Sequence, residues 1–346
     1  MKVLTVLGAR PQFIKAAMLS KAFAEAGINE VLLHTGQHFD PNMSGAFFEE
    51  FQLAAPQYHL GIHSLPREAM IASMQEAIVP ILEQEQADMV LVYGDTNSTL
   101  AGALAAQQIG IPIAHVEAGL RSGNANQPEE KNRIATDAIS EWLFVPNAQA
   151  RLNLIAEGIA PEKIHQVGDI MYDLFLAQQE KLPNINELDL PEHFALLTLH
   201  RQENVDDPQK LQAWVEALKA LNQEITLVCP LHPRTAKALT KLELSLPAQI
   251  LAPLSQGELL AVLAKSQIVL TDSGGLQKEA FYARKVCLTL REETEWKELI
   301  SMGLNVLSSP DRLLSDYHRL KDLVFEGVDS VYGDGDTAFK IVSVIN

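Results

Sequence analysis

Short blocks of consecutive apolar residues alternate along this chain with longer stretches whose apolar positions recur every three or four residues. The blocks fall at 3–7, 30–34, 89–93, 111–116, 143–146 and 164–167, then at 194–199, 225–229, 249–251, 267–271 and 286–290. Many are rich in β-branched residues, and most are too short for helices, so they predict strands buried on both faces. Helical spacing covers 12–26, 68–86, 97–108, 148–157, 208–221, 256–265, 276–282, 313–325 and 337–345. Pro128, followed by Glu129 and Glu130, opens a further helix with good start chemistry. Strand–helix alternation throughout predicts an α/β chain of doubly wound parallel sheets. Residues 178–191 are charged and poor in apolar positions, and they separate two such series. The expected domains are 1–168 and 169–335, with a last helix, 336–346, packing back on the first. A length of 346 residues suits two domains rather than one.

The same pattern places polar residues just after the strands, the ligand edge of an open parallel sheet. The turn Asp272-Ser273-Gly274-Gly275 follows a strand and precedes a helix. Glycines let the backbone approach a ligand, and the first helix amides point at it with the positive dipole end, so this is an anion site in form. Glu279 lies about one turn in, where a carboxylate reaches sugar hydroxyls beside a bound phosphate. A βα turn that binds nothing is the bland alternative. In the first half, Arg10 ends a strand and Lys15 lies one turn into the next helix, a cation pair suited to phosphate or simply solvated. Asp95 and Glu117 end neighbouring strands, which makes them candidates for acid–base chemistry. Their structural alternatives are an N-cap and a loop anion. His200, His232, Arg234, Ser273 and Arg291 all follow strands of the second half.

Composition narrows the partners. Against 44 acidic residues stand 27 Lys and Arg, a formal charge of −17. That excess argues against nucleic acid or an anionic membrane as partner, and an anionic ligand would need cations gathered locally. Cys229 and Cys287 sit in apolar runs and read as buried free thiols, consistent with a cytoplasmic protein. The N-terminal stretch lacks a signal-peptide core and no run approaches a membrane span. No metal is expected, because the ten histidines form no ligand-spaced cluster. A nicotinamide cofactor is disfavoured, because no G-x-G-x-x-G follows the first strand.

Taken together the motifs resemble a known family. Gly8-Ala9-Arg10-Pro11 with Lys15, Gly94-Asp95-Thr96, His115-Val116-Glu117-Ala118-Gly119-Leu120-Arg121, and Pro128-Glu129-Glu130 with Asn132-Arg133 occur in order. His200-Arg201 with Glu203-Asn204, and Asp272-Ser273-Gly274-Gly275 with Gln277 and Glu279, complete the set. The chain is similar over nearly its whole length to the non-hydrolysing UDP-N-acetylglucosamine 2-epimerases. The resemblance implies two Rossmann-like domains facing a cleft, the glycosyltransferase-B architecture, a UDP-sugar substrate, no cofactor and a homodimer. It implies catalytic positions at Asp95, Glu117, Glu129 and His200. It implies substrate-binding positions at Arg10, Lys15, Arg121, Arg133, Arg201, Ser273, Gly274, Gly275, Glu279 and Arg291. The family eliminates UDP across C1 and C2 to a 2-acetamidoglucal and adds it back with the opposite C2 configuration.

Several residues depart from the common pattern. Trp296 stands where the family's Thr-Glu-Arg-Pro-Glu motif has arginine, and Phe281-Tyr282 replace proline and serine. Gln37-His38-Phe39-Asp40 lacks the second glutamine of the family's allosteric site. These departures, with Tyr332-Gly333-Asp334-Gly335, look like a sister branch that epimerises UDP-2,3-diacetamido-2,3-dideoxyglucuronate for surface polysaccharides. A glycosyltransferase of the same architecture, a hydrolysing epimerase and a non-catalytic nucleotide-sugar sensor remain as alternatives at this point.

Overall fold

The structure, a computed structural model, describes residues 1–37, 53–323, 325 and 331–346, with the side chain of Arg10 outside that set. His38, Phe39 and Asp40 also lie outside the described residues. The chain forms two units, residues 1–174 with 329–346 and residues 175–328.

The first unit runs β1 (Lys2–Leu7), α1 (Arg10–Glu25), β2 (Asn29–His34), β3 (Tyr58–His59), α2 (Arg67–Glu85), β4 (Met89–Tyr93) and α3 (Asn97–Ile109). It continues with β5 (Ile113–Val116), α4 (Pro128–Ile139), β6 (Trp142–Val145), α5 (Ala148–Ala156), β7 (Ile164–Gln166) and α6 (Ile170–Gln179), whose second half belongs to the other unit. The seven strands are parallel in the order β3-β2-β1-β4-β5-β6-β7. Alternate residues of β1 and β4 feed two cores. Val3, Leu7, Leu91 and Tyr93 pack with Phe13, Leu19 and Phe23 of α1. Leu4, Val6, Val90 and Val92 pack with Met74, Ile78 and Leu82 of α2. Both faces are covered, which is why these strands read as unbroken apolar runs.

The second unit holds β8 (Phe194–Thr198), α7 (Gln202–Val205), α8 (Pro208–Leu221), β9 (Thr226–Pro230), α9 (Pro233–Lys241) and β10 (Gln249–Leu251). Then follow α10 (Gln256–Lys265), β11 (Ile268–Thr271), α11 (Gly274–Tyr282), β12 (Cys287–Thr289), α12 (Lys297–Ser301), β13 (Asn305–Leu307) and α13 (Leu313–Leu320). Its six parallel strands run β10-β9-β8-β11-β12-β13. The last helix, α14 (Thr337–Ile345), returns to the first unit, where Ala338, Ile341 and Val342 join the α1 core.

The doubly wound parallel class expected from the pattern is what forms. Some elements were not legible. The α9 sequence buries only Thr235 and Leu239, too few points to define a period. Strands β3 and β13 have two and three residues and exist through pairing with β2 and β12. The Ser-Gly-Gly turn is shorter than expected, because α11 already begins at Gly274 with Ser273 as its cap. In each sheet the strand order reverses direction beside the first strand of the series, between β1 and β4 and between β8 and β11. Open α/β sheets bind ligands outside such switch points. Among the described residues no helix is long and apolar enough to cross a membrane.

Candidate active site

At the switch point of the first unit two turns are tied together by one buried amide. Gln12, 1% exposed, accepts from the N–H groups of Gly8 and Ala9 at 2.7 and 3.0 Å. Its amide nitrogen donates to the Tyr93 carbonyl at 2.8 Å and to the Thr96 and Thr99 hydroxyls at 3.0 and 2.9 Å. The turn after β1 is thereby held against the turn after β4. No motif singled out Gln12; its only signal was a polar residue at the start of an otherwise apolar helix face.

Asp95 does not cap α3. That role belongs to Thr96, whose side chain accepts from the Thr99 N–H. The Asp95 carboxylate is instead ion-paired with Arg133 on α4. Burial raises its pKa above the usual Asp value, with Arg133 pulling the other way. Glu117 follows β5 in the left-handed region, φ 71°, a conformation that costs a non-glycine residue about 1–2 kcal/mol and is worth a functional explanation. Its carboxylate is ion-paired with Lys15 of α1. Gly94, at φ 63°, leaves room for that pair, since a Cβ there would stand 3.3 Å from Glu117 Oε2 and 3.6 Å from Lys15 Nζ. The strand-end acids thus lie in one neighbourhood, each with its own cation.

Helix α4 supplies the rest of this cluster. Glu130 is buried, accepts from the Ser122 and Gly123 N–H groups at 3.0 Å each, and pairs with Arg133 at 2.8 Å. Asn132 donates to the Asp95 carbonyl at 2.8 Å. Glu129, the acid expected from the motif, is exposed but near enough to Asp95 to add to its upward pKa shift. Arg121 is committed elsewhere. It pairs with Asp137 at 2.8 Å and with both oxygens of Glu157 at 2.7 and 2.6 Å.

The second unit repeats the logic around one carboxylate. Asp272, 0% exposed, accepts from the backbone N–H groups of His200 and Arg201 at 2.8 and 2.7 Å, and from Asn204 at 3.2 Å. Its other oxygen lies 3.2 Å from His200 Nδ1. Asp272 therefore fixes the backbone at His200 and Arg201 and stands beside the His200 ring, a role the sequence reading did not assign to it. Burial lowers the His200 pKa, and Asp272 opposes that shift. The ring also stacks on His232, with centroids 5.2 Å apart.

Ser273 caps α11 by accepting from the Leu276 N–H at 3.4 Å. A Cβ on Gly274 would press on the end of the Glu295 side chain and lie 3.7 Å from Arg201 Nη2, so Arg201 stands at the helix start. Gly275 is exposed. Arg291 is held by Glu295 at 3.0 Å and Glu203 at 3.6 Å. Trp296 donates from Nε1 to the Gly274 carbonyl at 2.9 Å, and Lys278 Nζ lies 4.2 Å from the centre of its ring. Glu279 accepts from Gln256 at 2.7 Å, and burial raises its pKa. The expected residues therefore fall into two groups, one in each unit. Arg121 is bound up in protein carboxylates, and the side chain of Arg10 is outside the described residues.

The chain belongs to the UDP-N-acetylglucosamine 2-epimerase family, whose model matches residues 21–346. Among individual relatives, the UDP-2,3-diacetamido-2,3-dideoxy-D-glucuronate 2-epimerase of Pseudomonas aeruginosa is 45% identical, with 100% of this chain and 99% of that protein aligned. A crystal structure of Methanocaldococcus jannaschii UDP-GlcNAc 2-epimerase in complex with UDP-GlcNAc and UDP superposes with a TM-score of 0.87 at 36% identity, covering 100% and 99% of the two chains. The Neisseria meningitidis UDP-GlcNAc 2-epimerase bound to UDP-GlcNAc gives 0.86 at 29% identity, again over 100% and 99%. The family resemblance drawn from the motifs is thereby borne out, and with it the class, an epimerase and so an isomerase.

Proposed function

We propose that this enzyme reversibly inverts C2 of a UDP-acetamido sugar by eliminating and re-adding UDP. The observation that carries the chemistry is the pair of strand-end acids, Asp95 and Glu117, adjacent but differently paired. The C2 proton of an acetamido sugar is too weakly acidic for simple removal. Loss of that proton together with cleavage of the C1–oxygen bond gives a 2-acetamidoglucal and UDP. Re-addition returns UDP to C1 and a proton to the opposite face of C2. This needs an acid, a base and cations for the departing diphosphate. In this reading Asp95, Glu117 and Glu129 handle protons, with His200 beside the reacting sugar. Ser273 and Gly275 bind diphosphate, and Arg10, Lys15, Arg133, Arg201, Gly274 and Arg291 are further substrate-binding positions. Glu279 holds the ribose.

The substrate we favour is UDP-2,3-diacetamido-2,3-dideoxyglucuronate, a surface-polysaccharide precursor, with UDP-GlcNAc as the second candidate. The support is the 45% identical relative of that specificity and the residues in which this chain departs from the common pattern, Phe281, Tyr282 and Trp296. A cytoplasmic location and a homodimer belong to the same proposal, carried by the family resemblance.

Proton NMR in D2O with each UDP-sugar separately tests it. Deuterium at C2 together with the manno isomer is the expected result, faster with the diacetamido uronate. Binding without C2 exchange would point to a transferase or a sensor. Free UDP with a reducing sugar would point to a hydrolysing enzyme.

A further inference from the structure

One buried chain of polar groups in the first unit has no part in the chemistry above. His115, 0% exposed, is the third residue of β5, two before Glu117. Its Nε2 lies 2.7 Å from the Gly94 carbonyl oxygen and its Nδ1 lies 2.7 Å from Asp137 Oδ1. A carbonyl oxygen only accepts, so Nε2 must carry the hydrogen. Asp137, 1% exposed on α4, uses its other oxygen to accept from the Gly119 N–H at 3.2 Å and from Arg121 at 2.8 Å. The series runs Gly94 carbonyl, His115, Asp137, then Gly119 and Arg121.

Its two ends are the two loops that carry the acids. The Gly94 carbonyl belongs to the peptide that joins Gly94 to Asp95. Gly119 closes the turn that begins at Glu117. Asp137 is also four residues after Arg133 on α4, so the helix that pairs the Asp95 carboxylate is itself tied in. A His–Asp pair sealed from water loses hydration that an apolar pair would not, so stability alone gives a poor reason for it. Fixing the orientation of one peptide gives a better one. The Gly94 N–H donates to the Val116 carbonyl at 3.0 Å and the Asp95 carbonyl accepts from Asn132 at 2.8 Å, so the His115 contact to the Gly94 carbonyl bears on the one peptide between those two anchors.

We infer that His115 and Asp137 are positioning residues that set the separation of Asp95 from Glu117 through the Gly94 carbonyl and the Gly119 amide. The inference rests on the functional reading above. Neither side chain touches substrate in it.

The test compares wild type with Asp137→Asn and His115→Gln by C2 deuterium exchange, UDP titration and thermal melting. The expected result is a fall in kcat of about tenfold or more, with KM and UDP affinity within about twofold and melting within a few degrees. A tenfold change corresponds to about 1.4 kcal/mol in the barrier. Unchanged kcat in both variants overturns the inference. A parallel loss of kcat, UDP affinity and melting temperature also overturns it, because that is the signature of a merely structural pair. If the variants do not fold, nitrogen-15 histidine NMR on wild type decides. A solvent-protected Nε2–H signal for His115 supports the inference and its absence overturns it. A wild type that leaves C2 untouched overturns the functional reading instead, and so separates the two failures.

Discussion

Each acid in the first unit is set by its immediate partners. Burial raises the Asp95 pKa, and the largest opposing influence is Arg133. A guanidinium favours the carboxylate, so removing it leaves the burial effect less opposed and raises the pKa further. Arg133→Gln should therefore move the Asp95 limb of the pH–rate profile to higher pH, with turnover lower at neutral pH. The profile of kcat from pH 4 to 8 checks this, and a limb that stays or moves down would count against the Arg133–Asp95 pairing. Asp95→Asn should remove the limb altogether and abolish exchange at C2. On the second unit, Glu279→Ala should weaken UDP binding more than it alters C2 chemistry, which calorimetric titration beside exchange rates would show.

Turns, at the scale of single elements, are where the chain commits its positive-φ residues. Gly94 at φ 63° is favoured by its left-handed backbone, and a Cβ there would also crowd the Glu117 carboxylate of the Lys15–Glu117 pair. Gly94→Ala should cost about 1–2 kcal/mol for the left-handed backbone alone. The added methyl, 3.3 Å from Glu117 Oε2, should also displace that pair and lower kcat by about tenfold. Denaturant unfolding and turnover measure the two effects separately, and wild-type turnover would be evidence against the neighbourhood described for Gly94. Helix α4 shows how one element serves several ends. Glu130, Arg133 and Asp137 recur at helical spacing, and they reach the Ser122 loop, Asp95 and His115 respectively.

Across the whole molecule each unit has its own sheet and core, but the first is completed by the last residues of the chain. Ile341 and Val342 of α14 are buried in the α1 core, and the Ala338 N–H is accepted by Asp173 at 2.9 Å. Removing 336–346 exposes apolar surface worth about 1.5–3 kcal/mol for each of those two side chains. The truncated protein should melt lower in the first unit while the second still binds UDP. A melting curve and a UDP titration on the same sample read both, and an unchanged melting temperature would speak against the packing of α14. Close backbone contact adds to this closure. Gly168 and Gly333 face one another where a Cβ on Gly168 would stand 2.8 Å from the Tyr332 carbonyl oxygen.

The sequence by itself determined the strands and helices that bury apolar faces, because period and run length are local properties of the chain. It also pointed to candidate residues at the strand ends and, through an ordered set of motifs, to the family. Short elements such as β13 and α9 were not legible, since pairing and a few buried contacts, not local pattern, create them. The same holds for Gln12, Asp137 and Asp272. Each is a polar residue on an ordinary helix or turn until folding brings a distant backbone group to it, the Tyr93 carbonyl at 2.8 Å, the Gly119 N–H at 3.2 Å and the His200 N–H at 2.8 Å respectively. Tertiary structure alone decided that Thr96, not Asp95, caps α3 and that Arg121 serves Asp137 and Glu157. A charge is written in the sequence, but its partner is chosen by distance, and only the folded chain sets that distance.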